Sequence, residues 1–133
     1  MKVLVTGATG FIGGNLARRL CQHGYEVRAL VRPQANKLTI DGTGVEQIPG
    51  DILDRESVAR AVQGCQAVFH CAAIYAFWSR TPSFIHRTNV DGTAIVLQAA
   101  RQAGVSRVVY TSTVSTMGAK LGKGGPSTIV GSP

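Results

Sequence analysis

The stretch Thr6-Gly7-Ala8-Thr9-Gly10-Phe11-Ile12-Gly13 narrows most sharply what this chain can fold into. Before it, the apolar run Val3 to Val5 reads as a buried parallel strand; after it, an apolar-periodic segment predicts a helix. Three glycines thus fall at every third position between a strand and a helix. The physical reason for such spacing is backbone access. Glycine permits the tight turn and lets the main chain approach a pyrophosphate, whose charge is met by N–H groups at the helix N-terminus. In this context the pattern implies dinucleotide binding. A glycine-rich strand-to-helix turn that binds nothing explains the glycines but not the features further along the chain.

With 133 residues and 44% hydrophobic content the chain suits one globular α/β domain with a real core and is excluded from the disordered class. Its longest apolar runs are strand-sized, so no membrane span is expected. The N-terminus runs directly into a core strand without a signal-peptide pattern, which predicts a cytoplasmic protein. Cys21, Cys65 and Cys71 are odd in number and lack metal-ligand spacing. They read as reduced thiols, two of them core fillers, and no metal site is expected. The net charge of +7 raises the question of nucleic acid. Yet Arg18, Arg19, Arg28, Arg32, Arg55, Arg60, Arg101 and Arg107 are scattered, without the interleaved aromatics that single-strand binding favours. A basic surface serving an anionic cofactor is the better reading.

The first helix is predicted over 11–23, with Phe11, Ile12, Leu16, Ala17 and Leu20 on its buried side and Gly24 as its stop. Glu26 to Val31 is the second strand. An acidic residue near its end, about twenty residues past the glycines, would accept hydrogen bonds from a free ribose 2′-hydroxyl. This chain places Arg32 there, with Lys37 beyond it. A guanidinium favours a 2′-phosphate through charge-assisted hydrogen bonds, so NADP is preferred over NAD. A solvated arginine before a turn is the plainer alternative.

Gln34 to Ile40 has the pattern of a short helix, and Val45 to Ile48 that of a third strand. Asp51 follows that strand at the carboxyl edge where ligands sit in open parallel sheets. It either meets the adenine amino group or serves as a turn carboxylate. Asp54 reads as the N-cap of a helix over 55–63. Gln66 to Cys71 is the fourth strand, ending in His70-Cys71-Ala72-Ala73, whose small residues admit a ligand. His70 reads as a packed or hydrogen-bonded strand residue rather than a base. Tyr75, Phe77 and Trp78 either line a substrate pocket or cover the core. The longest helical pattern, 83–103, carries Phe84, Ile85, Val90, Ala94, Leu97 and Ala100 on or near one face. Asn89 and Gly92 interrupt it for a packing or functional reason. Arg107 to Ser112 is the fifth strand, and Thr111, Ser112 and Thr113 place hydroxyls at its ligand-facing end. From Lys120 the chain is turn-rich and aperiodic. The expected organisation is a dinucleotide-binding domain over 1–118 and an irregular tail over 119–133.

Five stretches in order carry a family likeness: the glycine turn, Gly50-Asp51-Ile52-Leu53-Asp54, His70-Cys71-Ala72-Ala73, Asn89-Val90-Asp91-Gly92-Thr93 and Tyr110-Thr111-Ser112-Thr113. Together they resemble the extended short-chain dehydrogenase/reductases of the NAD-dependent epimerase/dehydratase type. Leu30-Val31-Arg32-Pro33 and Val109 to Val114 with Met117-Gly118 are most similar to the dihydroflavonol 4-reductase group and the hopanoid-associated sugar epimerases. The resemblance implies a Rossmann-type doubly wound parallel sheet of order 3-2-1-4-5 with helices on both faces. It implies that Gly7, Thr9, Gly10, Phe11, Ile12 and Gly13 surround the pyrophosphate and that Arg32 meets the 2′-phosphate, with Lys37 near it. Asp51 and Ile52 would then meet the adenine, and Ala72 and Ala73 the nicotinamide ribose. Asn89 would brace the active-site backbone, and Thr113 would match the catalytic Ser/Thr that holds the substrate oxygen. A small-molecule substrate is implied for the full-length enzyme, and a homodimer is compatible with the family.

The chain departs from the family at the proton-transfer group. The family uses a Tyr followed four residues later by Lys, and none of Tyr25, Tyr75 and Tyr110 has a lysine at that offset. That pair normally lies some tens of residues past Thr113. The expectation is therefore the N-terminal part of a larger reductase or epimerase, cut after the fifth strand. The rival from another class is a non-catalytic NADP-sensing module.

Overall fold

The computed structural model describes residues 1–75 and 81–113. Phe77, Trp78, the motif residues Val114, Met117 and Gly118, and the predicted tail over 119–133 lie outside the described residues. In chain order the elements are β1 (Lys2–Thr6), α1 (Phe11–Gln22), β2 (Glu26–Val31), β3 (Glu46–Pro49), α2 (Arg55–Val62) and β4 (Ala67–His70). They continue as α3 (Pro82–His86), a π-helical turn (Arg87–Asp91), α4 (Gly92–Gln102) and β5 (Arg107–Tyr110). The strands form one sheet of order β3-β2-β1-β4-β5, and every pair is parallel. This is the doubly wound order that the sequence implies.

Alternation along the strands sorts the core into two layers, because successive side chains point to opposite faces. Val3, Val5, Val27, Ala29, Val31 and Ala67 pack on one face with Ala8, Ala17 and Ile40. Leu4, Leu30 and Val68 face the other way, against Val58, Ala61 and Val62 of α2 and Ile95, Val96, Ala99 and Ala100 of α4. Each fully buried Val or Leu contributes roughly 1.5–3 kcal/mol relative to exposure. The strand runs are apolar on both sides for this reason. β5 is an outer strand, and its Val109 and Tyr110 are exposed.

Three sequence expectations are corrected. Residues 34–40 form consecutive turns rather than a short helix: the Ala35 N–H meets the Arg32 carbonyl, and the Leu38 N–H meets Asn36 Oδ1. The asparagine side chain competes for the backbone donor a helix would use, while Ile40 anchors the segment as a buried plug. On α1, Ala17 is buried and Leu20 packs partly against the core as expected, but Phe11 and Ile12 are 85% and 57% exposed, and Gly13 and Gly14 complete the buried side. The helix lies so close to its neighbours that a Cβ on Gly14 would stand 2.8 Å from Thr39 Cβ.

On the last helical stretch the buried face is Thr88, Gly92, Ile95, Val96, Ala99 and Ala100, with Phe84, Val90, Ala94 and Leu97 exposed. The π-helical turn adds a residue to the helical period and rotates everything after it. At Gly92 that face packs closely on Ile52: a Cβ there would be 2.7 Å from Ile52 Cδ1.

Candidate dinucleotide site

The C-terminal ends of four strands open onto a cleft of about 340 Å³. Gly7, Thr9 and Gly10 form its floor, and Leu30 and Arg32 enter from the end of β2. Gly50, Asp51 and Ile52 follow β3; Cys71, Ala72, Ala73 and Ile74 follow β4. Phe84 and Thr88 line it from the α3–π rod. Eight residues singled out from the sequence thus meet in one place: Gly7, Thr9, Gly10, Arg32, Asp51, Ile52, Ala72 and Ala73. Phe11, Ile12, Gly13, Lys37 and Thr113 do not line the cleft. Phe11 and Ile12 stand exposed at the start of α1, and Thr113 lies exposed beyond the end of β5.

The floor is built by close backbone contact. Gly7 has φ +74°, the left-handed region where a side chain is strained, and its Cβ position is 2.7 Å from the Ala72 nitrogen and 2.8 Å from Ala72 Cα. A Cβ on Gly13 would overlap the Gly7 carbonyl oxygen. The first turn of α1 is therefore pressed onto the glycine loop, with Gly10 N–H on the Gly7 carbonyl at 2.9 Å. Thr39 Oγ1 donates to the Ala8 carbonyl at 3.1 Å and ties the 34–44 turns to the same loop.

Charge at the cleft is sparse and placed at one end. Arg32 is exposed, lines the cleft, and its guanidinium has no ion-pair or hydrogen-bond partner among the described residues. Asp51 is a turn carboxylate, its Oδ1 accepting from the Leu53 N–H at 2.9 Å, and the residue also lines the cleft. Asp54 is the expected N-cap, accepting from the Glu56 N–H at 3.1 Å.

Asn89 holds the wall opposite. Its Oδ1 accepts from the Ile74 N–H at 2.8 Å and its Nδ2 donates to the Ile74 carbonyl at 2.9 Å, a two-point grip on the loop after β4. His70 is fully buried, with Nδ1 2.6 Å from Thr6 Oγ1 and Nε2 2.9 Å from Thr93 Oγ1. Its ring stacks on Tyr110 with centroids 5.4 Å apart. Burial pushes the imidazole pKa down from 6.5 to about 4, so it is neutral at physiological pH. His70 is a hydrogen-bonded strand residue, as the sequence implies.

A group that fits this cleft needs anionic character beside glycines, a flat apolar part near Ile52, and acceptors for unmatched donors. Thr88 supplies one such donor. The residue lines the cleft, while its Oγ1 is buried and has no partner among the described residues. Leaving a hydroxyl so costs about 1–3 kcal/mol unless a ligand or water completes it. A dinucleotide fits this set. Sequence reasoning passed over Thr88, Thr6 and Thr93, because a threonine at a strand end or in a helix carries no signal of its partner.

The sheet order, the glycine turn and the cleft at the strand ends together define a Rossmann-type NAD(P)-binding fold. Within that class, the chain belongs to the NAD-dependent epimerase/dehydratase family, whose profile matches residues 3–130. A Synechocystis protein provisionally named a dihydroflavonol 4-reductase is 42% identical over 116 residues, 87% of this chain and 34% of the relative. A 2-alkyl-3-oxoalkanoate reductase of Stenotrophomonas maltophilia is 44% identical over 115 residues, 86% of this chain and 34% of the relative. Among solved structures, the Thermus thermophilus UDP-glucose 4-epimerase complex with NAD superposes with a TM-score of 0.81 at 29% identity, covering all of this chain and 45% of that one. The chain spans about a third of the length of these curated relatives. Among the described residues, no helix is long and apolar enough to cross a membrane.

Proposed function

We propose that this chain is the NADP-binding part of a reductase or epimerase acting at a carbonyl or alcohol carbon of a small molecule. The observation that carries the reading is the convergence of Gly7, Gly10, Arg32, Asp51 and Ala72 on one cleft. Bound there, the cofactor would supply or accept a hydride. This chain's own residues bind and orient it: the glycine turn receives the pyrophosphate, Asp51 and Ile52 the adenine, and the Ala72–Ala73 backbone the ribose on the nicotinamide side. Arg32 is proposed to meet the 2′-phosphate, because its charge is unmatched and no carboxylate occupies the place where a 2′-hydroxyl would be read. Thr113 is proposed to hold the substrate oxygen, as the matched motif implies. The chain contains no Tyr-x-x-x-Lys pair, so it binds cofactor without performing the proton transfer.

Arg32→Asp tests the cofactor choice by replacing attraction to the phosphate with repulsion. The ratio of NADPH to NADH affinity should fall by about 10- to 100-fold, corresponding to roughly 1–3 kcal/mol. Equal affinities for the two cofactors before and after the change would remove Arg32 from the phosphate site.

A further inference from the structure

We infer that His70 is a positioning residue: held as a single neutral tautomer, it locks the Ala72–Ile74 wall of the cleft against the glycine turn. The inference rests on the cofactor reading above and concerns how the site keeps its shape.

Proton counting fixes the tautomer. Thr93 Oγ1 donates to the Asn89 carbonyl at 2.7 Å, and a carbonyl can only accept. The one hydroxyl proton of Thr93 is thereby committed. Its 2.9 Å contact with His70 Nε2 must then have the ring N–H as donor. A neutral imidazole carries one N–H, so Nδ1 is bare and accepts from the Thr6 hydroxyl at 2.6 Å. Thr6 Oγ1 has in turn spent its proton and accepts the Ala72 N–H at 3.3 Å. The run is unidirectional: Ala72 N–H to Thr6, Thr6 to His70, His70 to Thr93, Thr93 to the Asn89 carbonyl. No group in it is asked to donate twice.

The ends of this run are what give it consequence. Ala72 is the residue pressed against Gly7, so closely that a Cβ on Gly7 would stand 2.7 Å from the Ala72 nitrogen. Asn89, at the other end, grips Ile74 by both side-chain atoms. The wall after β4 is therefore fastened at Ala72 and at Ile74, and His70 with Thr93 joins the two fastenings across β1, β4 and α4. Thr6 and His70 are fully buried, and Tyr110 of β5 closes the side of the ring. Thr93 is half-buried, but at the fully enclosed Thr6–His70 contact water does not substitute for a lost partner, and an unpaired group there costs more than the bond itself contributes. Thr6, His70 and Thr93 do not line the cleft, so they act on a ligand only through the wall they hold.

The test uses Thr93→Val, which keeps shape and removes the acceptor for Nε2–H, beside Thr93→Ser, which keeps the hydroxyl. Ring-nitrogen NMR of the unmodified protein should show Nε2 protonated and Nδ1 bare. Thr93→Val should abolish that single-tautomer signature, raise the exchange rate of the Ala72 and Ile74 amides, and weaken NADPH binding about tenfold, measured well below the melting temperature. Thr93→Ser should preserve all three. An Nδ1-protonated ring, or unchanged NADPH affinity in Thr93→Val with the signature lost, overturns the inference while leaving the cofactor reading intact. If the unmodified protein shows the expected ring signature yet binds neither NADPH nor NADH, the cofactor reading fails, and the positioning role falls with it.

Discussion

At the N-terminal edge of the sheet the strands are linked by a charged cluster, whereas at the C-terminal edge β1 and β4 are linked to α4 by a neutral hydrogen-bonded run. Arg28 on β2 places Nε and Nη2 on the two oxygens of Glu46 at 3.0 and 3.1 Å, while Nη1 donates to the Ala61 and Gln63 carbonyls at the end of α2. Lys2 adds a third contact to Glu46 at 3.3 Å. Arg28, then Lys2, hold the Glu46 carboxyl below its usual range against a smaller opposing effect of desolvation. Water reaches this cluster from the Glu46 side, whose side chain is 46% exposed against 11% for Arg28. At the other edge Thr6, His70 and Thr93 form one hydrogen-bonded run without a charge. The difference has a physical reason. An exposed ion pair tolerates rearrangement and contributes little, while a buried neutral run fixes geometry and leaves the cleft's field to Arg32 and the glycine N–H groups. It also shows that part of the +7 excess is structural, since Arg28 is engaged with α2 and Glu46.

The sharpest way to break this contrast is at the floor of the cleft. Gly7→Ala combines a left-handed φ with a Cβ pressed on the Ala72 backbone, and should weaken NADPH binding by about 100-fold or more. Fluorescence titration of the variant measures it; a loss below threefold would show that the loop yields without harm to the site.

Acid discriminates the two edges next. The His70 pKa lies near 4 in the fold and at 6.5 when the chain is unfolded, so the unfolded chain binds the extra proton. Its contribution to stability is complete above pH 6.5, declines as the pH falls through that window, and is gone below about 4. The gap between the two values amounts to roughly 3 kcal/mol. Urea midpoints measured from pH 7.5 to 4 should fall accordingly, and His70→Phe should lose most of that slope. A parallel decline in the variant would assign the acid sensitivity to the carboxylates instead.

Changes at the N-terminal edge should matter least. Glu46→Gln removes a half-exposed partner and should cost below about 1 kcal/mol, shrinking further in high salt. A larger, salt-independent loss would mean that the charged edge carries more of the fold than its exposure allows.

The features legible in the sequence share one property: they are local. β2 is found over the expected residues, Glu26–Val31, because an apolar run between Tyr25 and Pro33 has only one way to be buried. The glycine turn and the Asp54 cap follow from spacing, and the eight cleft residues from spacing together with the family resemblance. The features missed depend on partners far away in the chain. Phe11 and Ile12 look like core residues by their chemistry, yet α1 is pressed through Gly13 onto the glycine loop and through Gly14 onto Thr39, which leaves Phe11 and Ile12 outside. The face of α4 was out of phase because a π turn has no sequence period of its own, although Asn89 and Gly92 marked its place. Both of those interruptions have a reason: Asn89 grips Ile74, and Gly92 makes room for Ile52. His70 was legible as hydrogen-bonded, but not its partners, one of which is 64 residues away on β1.

Direct titration of the protein with NADPH, followed by its change in fluorescence, tests the central claim that this cleft holds a dinucleotide. Saturable one-to-one binding is predicted, weakened by Gly7→Ala and, for NADPH more than NADH, by Arg32→Asp. With bound NADPH and a panel of ketones, aldehydes and nucleotide sugars, absorbance should then show no turnover by this chain alone. Absence of saturable binding for both NADPH and NADH, in a sample whose His70 ring signature shows it to be folded, would contradict the account.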